Sequence, residues 1–199
     1  SSQNISDLTG IEDFTALTTL DCSNNQINSL DFSQNTDLTT LRCDSNQLTI
    51  LDISSNNNLT FLNCNYNSLS NLNLNANIGL TYLVCIHNQI TSLNISNNTV
   101  LTYLICDSNP IGTLDLSANA SLNHLSCTFN QLTILDLSNN TVLSELSCHD
   151  NQIASLDISQ TDIIGVSCSN NQLINLDLRN GNNIFLDSNL SCSNNPNLT

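Results

Sequence analysis

Cysteine recurs along this chain at a nearly constant interval, and that interval restricts the possible fold more than any other feature. The spacing between successive cysteines is 21 residues six times, then 20 and then 24. An asparagine follows every cysteine by three residues, so the whole motif repeats. A sequence period of about 20–50 residues is typical of a solenoid in which each repeat forms one coil. The repeating cysteines are Cys22, Cys43, Cys64, Cys85, Cys106, Cys127, Cys148, Cys168 and Cys192.

Each repeat has two halves, and both halves predict extended structure. The first half has the form L-x-x-L-x-C-x-x-N-x-[LI], and the second has the form x-x-L-[DN]-[LIF]-[SN]-x-N-x-x. Apolar positions alternate with other positions in each half, which is the period of a β-strand. A coil of 21 residues with two extended runs and two turns has no room for a long helix. We therefore predict a β-rich solenoid of about nine coils with little or no helix.

The cysteines are predicted to be reduced and buried in the core of the stack. Their odd number prevents complete pairing within one chain. Side chains that point the same way from neighbouring coils have poor geometry for a disulfide. One cysteine per coil also does not form a zinc site, and we expect no metal and no cofactor. A parallel column should line the core beside them: Leu20, Leu41, Leu62, Leu83, Leu104, Leu125, Leu146, Val166 and Leu190.

Two polar columns are interpreted as structural. The amides of the asparagines that follow the cysteines can donate to carbonyls and accept from N–H groups of a neighbouring coil. In the second half, we expect a row of acidic and amide side chains to bond with the serines nearby. Calcium binding by this row is the alternative, although a flat row of carboxylates does not converge on one ion. The row consists of Asp31, Asp52, Asn73, Asn94, Asp115, Asp136, Asp157 and Asp177.

The two ends of the chain depart from the repeat. Residues 1–16 lack the cysteine, and we predict that they form an N-terminal cap or half-coil with a short helical turn. The array proper is predicted over 17–199, with a degenerate final repeat at 181–199. Three extra residues between Leu178 and Cys192 shift the register there. We expect the whole segment to be a piece of a longer precursor.

The charge of the chain excludes some classes of partner. Two arginines and no lysine face 17 acidic residues, and the formal net charge is −15. Such a chain cannot neutralise a row of phosphates, so no nucleic acid is expected as a partner. An anionic membrane surface is disfavoured for the same reason. No apolar run approaches the length of about 20 residues that spans a bilayer, so no membrane insertion is expected.

The repeat resembles a known signature. The form L-x-x-L-x-[LC]-x-x-N-x-[LI] is that of leucine-rich repeats, and Leu17–Ile27 matches it in full. The 21-residue length and the nested half at Leu132–Asn140 resemble the short bacterial subclass called IRREKO, and the coil size is similar to internalin repeats. The resemblance covers roughly residues 5–199 and implies a right-handed superhelix with a parallel β-sheet on its concave face. It also implies a bacterial, secreted or cell-surface setting, in which the segment is part of a larger secreted protein.

Comparison between the repeats of this one chain locates the candidate site. Positions that flank the core leucine and cysteine should project outward, and these are the positions free to vary. Aromatic and apolar side chains concentrate there in coils three to six, next to acidic residues such as Asp44 and Asp107. An apolar patch on a polar surface indicates a recognition site, and tyrosine is favoured in such sites. The predicted ligand-binding residues are Phe61, Tyr66, Tyr82, Val84, His87, Tyr103, Ile105, His124 and Phe129.

Two functions are compatible with this surface. The first is a non-catalytic module that binds a protein or glycan on the concave sheet. The second is a structural spacer or adhesin stalk with no specific ligand, in which aromatic side chains on adjacent strands only stabilise the sheet. An enzyme is not expected, because the cysteines face inward and the sequence indicates neither a cleft nor a nucleophile paired with a base.

Overall fold

Short strands, one from each repeat, form a long parallel sheet in the computed structural model, which describes residues 3–181 and 189–198. Every strand pairs in register with the strand one repeat later, so Leu62 lies between Leu41 and Leu83. This sheet has nine strands in the order β1-β2-β3-β4-β5-β6-β7-β9-β11. Their bounds are β1 Thr19–Asp21, β2 Thr40–Arg42, β3 Phe61–Asn63, β4 Tyr82–Val84, β5 Tyr103–Ile105, β6 His124–Ser126, β7 Glu145–Ser147, β9 Gly165–Ser167 and β11 Leu190–Ser191.

The second half of the coils contributes little regular structure. Strands β8 (Ser155–Asp157) and β10 (Asn175–Asp177) pair in a separate two-stranded parallel sheet. The one helical segment of the described residues is a 3-10 turn at Ile11–Asp13, within the segment predicted to be a cap. No described helix is long and apolar enough to cross a membrane. The structure confirms the predicted β-solenoid with a parallel sheet and without α-helix over the described ranges.

Two neighbouring columns of the core, one of leucines and one of cysteines, come from the strands of the long sheet and the residues just after them. The side chains from Leu41 to Leu125 and from Cys43 to Cys148 in these columns are fully buried. All nine cysteines are free thiols, as predicted, and only Cys192 is partly exposed. Burial raises the pKa of the Cys22 and Cys168 thiols to about 12, so the thiol form persists at neutral pH.

The leucine column is no longer buried at its last strand, β11. Leu190 was predicted to line the core, and this prediction is wrong, because its side chain is 37% exposed. The physical reason is that β11 is the edge strand of the long sheet, with a neighbour on one side only. The predicted insertion between Leu178 and Cys192 lies largely outside the described residues.

Two asparagine columns hold the turns of neighbouring coils together. In the predicted column, Asn109 Nδ2 donates to the carbonyl oxygens of Cys85 and Cys106 at 3.0 and 3.1 Å. Its Oδ1 accepts the Ile90 N–H at 3.0 Å, which confirms the predicted bonding between coils. A second column, whose role the sequence analysis did not predict, donates to two carbonyls, but its Oδ1 atoms have no hydrogen-bond partner among the described residues. This second column consists of Asn35, Asn56, Asn77, Asn98, Asn119 and Asn140.

The acidic row of the second half is bonded within each coil. Asp31 and Asp52 accept the N–H groups of Ser33 and Ser54 at 2.9 and 3.0 Å, as the sequence predicts. These hydrogen bonds lower the carboxyl pKa values, because they stabilise the charged form. Among the described residues, no three His, Cys, Asp or Glu side chains are grouped so that they could hold a metal ion.

Candidate functional site

Four aromatic rings stack on the outward face of the long sheet, and we call them the strand stack: Phe61, Tyr82, Tyr103 and His124. Their residues are direct register partners on β3 to β6, so each side chain stands beside the next. The ring centroids are 4.6, 4.3 and 4.3 Å apart along the stack, and the interplanar angles do not exceed 10°. The strand spacing of a sheet, about 4.8 Å, is therefore the distance that sets this stacking.

A charged side chain lies at each end of the strand stack. The guanidinium carbon of Arg42 lies 4.5 Å from the ring centroid of Phe61, which is a cation–π contact. At the other end, His124 Nδ1 is 2.8 Å from a carboxylate oxygen of Glu145. The side chains of His124 and Glu145 are 25% and 60% exposed, so this pair faces solvent.

The stack presents ring edges to solvent, since each inner ring has a neighbour on both faces. Sugars usually pack their apolar C–H groups against an open ring face, and Tyr82 and Tyr103 do not offer one. Their phenol groups remain as polar handles at the edge of an apolar body. Burial and the neighbouring Tyr82 raise the pKa of the Tyr103 hydroxyl above its ordinary value. A tyrosine hydroxyl is protonated at neutral pH with or without this shift, and it can donate a hydrogen bond.

A second group of aromatic side chains lies in the turns that follow three of the cysteines. We call these residues the turn aromatics: Tyr66, His87 and Phe129. Their φ angles are 50°, 51° and 52°, which is the left-handed region. Bulky side chains rarely adopt this conformation, because Cβ approaches the following carbonyl oxygen. Equivalent positions in the other coils, with the same left-handed φ, are mostly small or Asx residues: Asn24, Ser45, Ser108, Asp150, Asn170 and Asn194.

The turn aromatics remain exposed in spite of this conformation. Tyr66 is 55% exposed and Phe129 is 57% exposed. Tyr66 contacts His87 with ring centroids 4.6 Å apart, and Phe129 meets His149 edge-on at 5.3 Å. These side chains therefore gain little burial in return for their backbone strain.

Two further predicted site residues contribute less surface. Val84 is only 6% exposed, because its register partners Asn63 and Ile105 flank it on β3 and β5. Ile105 is partly buried on the same face. Both side chains lie on the same face of the sheet as the rings, two residues further along their strands, but they expose little surface.

The predicted acidic rim is largely bonded to the sheet itself. Asp107 accepts the Ser126 hydroxyl at 2.8 Å and the Thr128 N–H at 2.7 Å. Asp44 accepts the Asn63 amide at 3.0 Å, and burial raises the pKa of its carboxyl. Glu145, which follows His124 in the same outward column, is more exposed than Asp44 and Asp107, and its side chain is 60% exposed.

An open hollow of about 440 Å³ lies on the sheet beyond the end of the strand stack. It exists because Gly165 occupies the column position that Tyr82 and Tyr103 occupy in earlier coils. Its wall includes His124 and Glu145, and its floor includes the outward serines Ser147, Ser167 and Ser191. The sequence analysis singled out His124 but did not predict the roles of Arg42, His149 and Gly165. The signal for the hollow was in the sequence: Gly165 has no side chain in a column that carries rings at Tyr82 and Tyr103.

Comparison with known proteins adds to this picture. A scan against protein-family models and a search of curated proteins find no match. Among solved structures, the functional domain of InlJ from Listeria monocytogenes, described as including a cysteine ladder, is 41% identical over 85% of this chain, with a TM-score of 0.69. A leucine-rich-repeat protein of Leptospira interrogans is 26% identical over 91% of this chain, with a TM-score of 0.63.

Internalin C2 of Listeria monocytogenes has the same fold at 23% identity, with a TM-score of 0.71 over 84% of this chain. The chain spans 43% and 44% of the lengths of the InlJ and Leptospira structures, so it corresponds to less than half of each. The cysteine column of this chain agrees with the cysteine ladder described for the InlJ domain, and the solenoid fold is shared with all three structures. The chain is therefore a leucine-rich-repeat solenoid whose repeats are similar to those of bacterial internalins.

Proposed function

We propose that this solenoid is a non-catalytic module that binds a protein partner on the outward face of its long sheet. Leucine-rich-repeat neighbours of this kind are protein-interaction modules, and such neighbours are generally non-enzymatic. The thiols are the strongest nucleophiles of the chain, and all of them except that of Cys192 are buried in the core. The surface that remains for function is the strand stack together with the turn aromatics. A secreted or cell-surface location in a bacterium belongs to the same proposal.

The observation that carries the proposal is the exposure of Tyr66 and Phe129 in left-handed turns. A purely structural role explains the strand stack, because aromatic pairs on adjacent strands stabilise a sheet. It does not explain the turns, where a small or Asx residue would be less strained and where the ring gains little burial. Exposed aromatic side chains kept at a strained position indicate selection for contact with a partner.

A protein partner fits the geometry better than a glycan that stacks on aromatic rings. The inner rings of the strand stack have both faces covered at 4.3–4.6 Å, so a sugar has no open face there. Ring edges, phenol hydroxyls and protruding aromatic side chains are the features that protein interfaces use. The structural spacer remains the second candidate, and the regular stacking of the four rings is the observation in its favour.

The test begins with an array of proteins and glycans probed with the purified chain. The partner that it identifies is then titrated with the variant Tyr66→Asn/Phe129→Asn. The control is Ile50→Asn/Ile134→Asn, which changes two side chains that are 75% and 73% exposed outside the long sheet. We expect the turn variant to weaken binding at least about tenfold and the control to leave it unchanged. Equal affinity of both variants, or an array that yields glycans alone, would contradict the proposal.

A further inference from the structure

We infer that the hollow beside Gly165 accepts an arginine side chain of the protein partner, with its guanidinium paired to Glu145 and laid beside the His124 ring. The inference rests on the proposed function and specifies the chemistry of the partner. It follows from a difference between the two ends of the strand stack. A guanidinium covers the terminal ring at the Phe61 end, and no such group in the described part of the chain covers the His124 ring at the other end.

At the Phe61 end of the strand stack, an arginine of the chain itself packs on the terminal ring. Arg42 places its guanidinium carbon 4.5 Å from the ring centroid of Phe61, so a guanidinium already closes the stack on that side. A planar guanidinium stacks on aromatic rings and forms forked hydrogen bonds, which an ammonium group cannot do.

At the His124 end of the strand stack, no guanidinium of the described residues covers the terminal ring. One face of the His124 ring packs on Tyr103 at 4.3 Å, and no ring of the described residues covers its other face. Glu145 follows His124 in the register and bonds its edge, and Gly165 comes next with no side chain. The stack therefore ends in a hollow of about 440 Å³ that is open to solvent.

The polar groups around the hollow match a guanidinium. One carboxylate oxygen of Glu145 bonds His124, and the other has no hydrogen-bond partner among the described residues. The hydroxyls of Ser147 and Ser167 on the floor likewise have none in the described ranges, and a hydroxyl can accept from N–H donors. A carboxylate oxygen and two hydroxyls give the forked donors of one arginine several acceptors.

Charge complementarity favours a basic partner over an acidic one. The chain has a formal net charge of −15 with two arginines, and both are engaged, Arg42 with Phe61 and Arg179 with Asp177. A field of this sign attracts cationic groups and repels anionic ones during encounter. We therefore expect a partner segment that presents arginine from a basic surface.

The inference can be tested without knowing the partner. The folded chain is titrated with N-acetyl-arginine amide at millimolar concentrations while amide resonances are followed by NMR. We expect saturable shifts of the Ser147, Gly165 and Ser167 amides. N-acetyl-citrulline amide, which has a similar shape but no charge, should leave these resonances in place. Equal shifts with both compounds, or no shift with arginine, would overturn the inference.

Variants make the same titration specific. Glu145→Gln should abolish the arginine shifts, whereas Asp37→Asn, the same charge change at an exposed turn away from the sheet, should retain them. Gly165→Tyr should also abolish them by filling the hollow. A Cβ added at Gly165 meets its nearest neighbour, Asn189 Cβ, at an ordinary 3.6 Å, so Gly165→Ala should fold and keep the shifts. Arginine shifts that survive in Glu145→Gln would overturn the inference.

The partner found by the array separates this inference from the proposed function. Loss of partner binding in both Gly165→Tyr and Tyr66→Asn/Phe129→Asn supports the arginine site and the proposed function. Binding that persists in Gly165→Tyr but is lost in the turn variant overturns the arginine site and leaves the proposed function standing. Binding that persists in both variants overturns the arginine site and the proposed function together.

Discussion

At the scale of single residues, the asparagines that follow the cysteines join one coil to the next. Asn109 makes four hydrogen bonds in a buried position, three donated and one accepted. Asn98, in the second asparagine column, donates two, and its Oδ1 has no partner among the described residues. The same residue type therefore contributes differently in the two halves of a coil.

This difference predicts unequal costs of truncation. Asn109→Ala removes three donated hydrogen bonds and leaves the buried N–H of Ile90 without its acceptor, so it should lower the free energy of unfolding by about 3–5 kcal/mol. Asn98→Ala removes two hydrogen bonds and an unpaired oxygen, so its cost should be about 1–2 kcal/mol. Denaturant unfolding of the two variants measures the difference. Equal costs would show that these hydrogen bonds do not determine the stability of the turns.

At the scale of the element, the strand stack adds stability to the long sheet. Its three ring contacts are each worth about 0.5–1.5 kcal/mol beyond the burial of apolar area. The contacts depend on ring shape, and the phenol hydroxyls are not needed for them. Stability and recognition can therefore be separated by changing the hydroxyls alone.

Two double variants carry out this separation. Tyr82→Ser/Tyr103→Ser removes all three ring contacts and should lower the free energy of unfolding by about 2–4 kcal/mol. Tyr82→Phe/Tyr103→Phe keeps the rings, so its free energy of unfolding should stay within about 0.5 kcal/mol of the parent. Calorimetry or denaturant unfolding provides the values. A large loss in the phenylalanine variant would show that the hydroxyls hold the stack together.

The elements of the sheet were predictable, but the contacts between their side chains were not. The 21-residue period places Tyr82 and Tyr103 in one outward column, because identical coil lengths keep the strands in register. The left-handed turn at Tyr66 could not be predicted, since the aromatic side chain argues against that backbone conformation. The burial of Val84 depends on its neighbours in two other coils, and a single repeat does not contain that information.

At the scale of the whole molecule, the solenoid concentrates negative charge in regular rows. The exposed carboxyls Asp31, Asp52, Asp115 and Asp136 accept hydrogen bonds from the serines two residues later, and these bonds lower their pKa values below the ordinary 3.8. Asp177 bonds Arg179, which lowers its carboxyl pKa to about 2. The row therefore stays charged until the solution becomes strongly acidic.

The sign of these shifts predicts a dependence of stability on pH. A carboxyl with a lower pKa in the folded state binds fewer protons there than in the unfolded chain, so its stabilisation is complete above the unfolded pKa of 3.8. The stabilisation is lost as pH falls from about 4 towards 2. We expect these aspartates to leave the melting temperature level between about pH 5 and 7 and to lower it below about pH 4. Melting curves across this pH range check the result. In the variant Asp31→Asn/Asp52→Asn, which lacks two of these carboxyls, the melting temperature should fall less on acidification than it does in the parent.

The most direct test of the account compares the thermal unfolding of Tyr66→Asn/Phe129→Asn with that of Tyr82→Ser/Tyr103→Ser. Asparagine relieves the left-handed strain, so we expect the turn variant to unfold at the same temperature as the parent or slightly above it, although it loses the partner. The strand variant should unfold at a lower temperature. If the turn variant loses as much stability as the strand variant and still binds the partner, the aromatic surface is a stabilising device and not a recognition site.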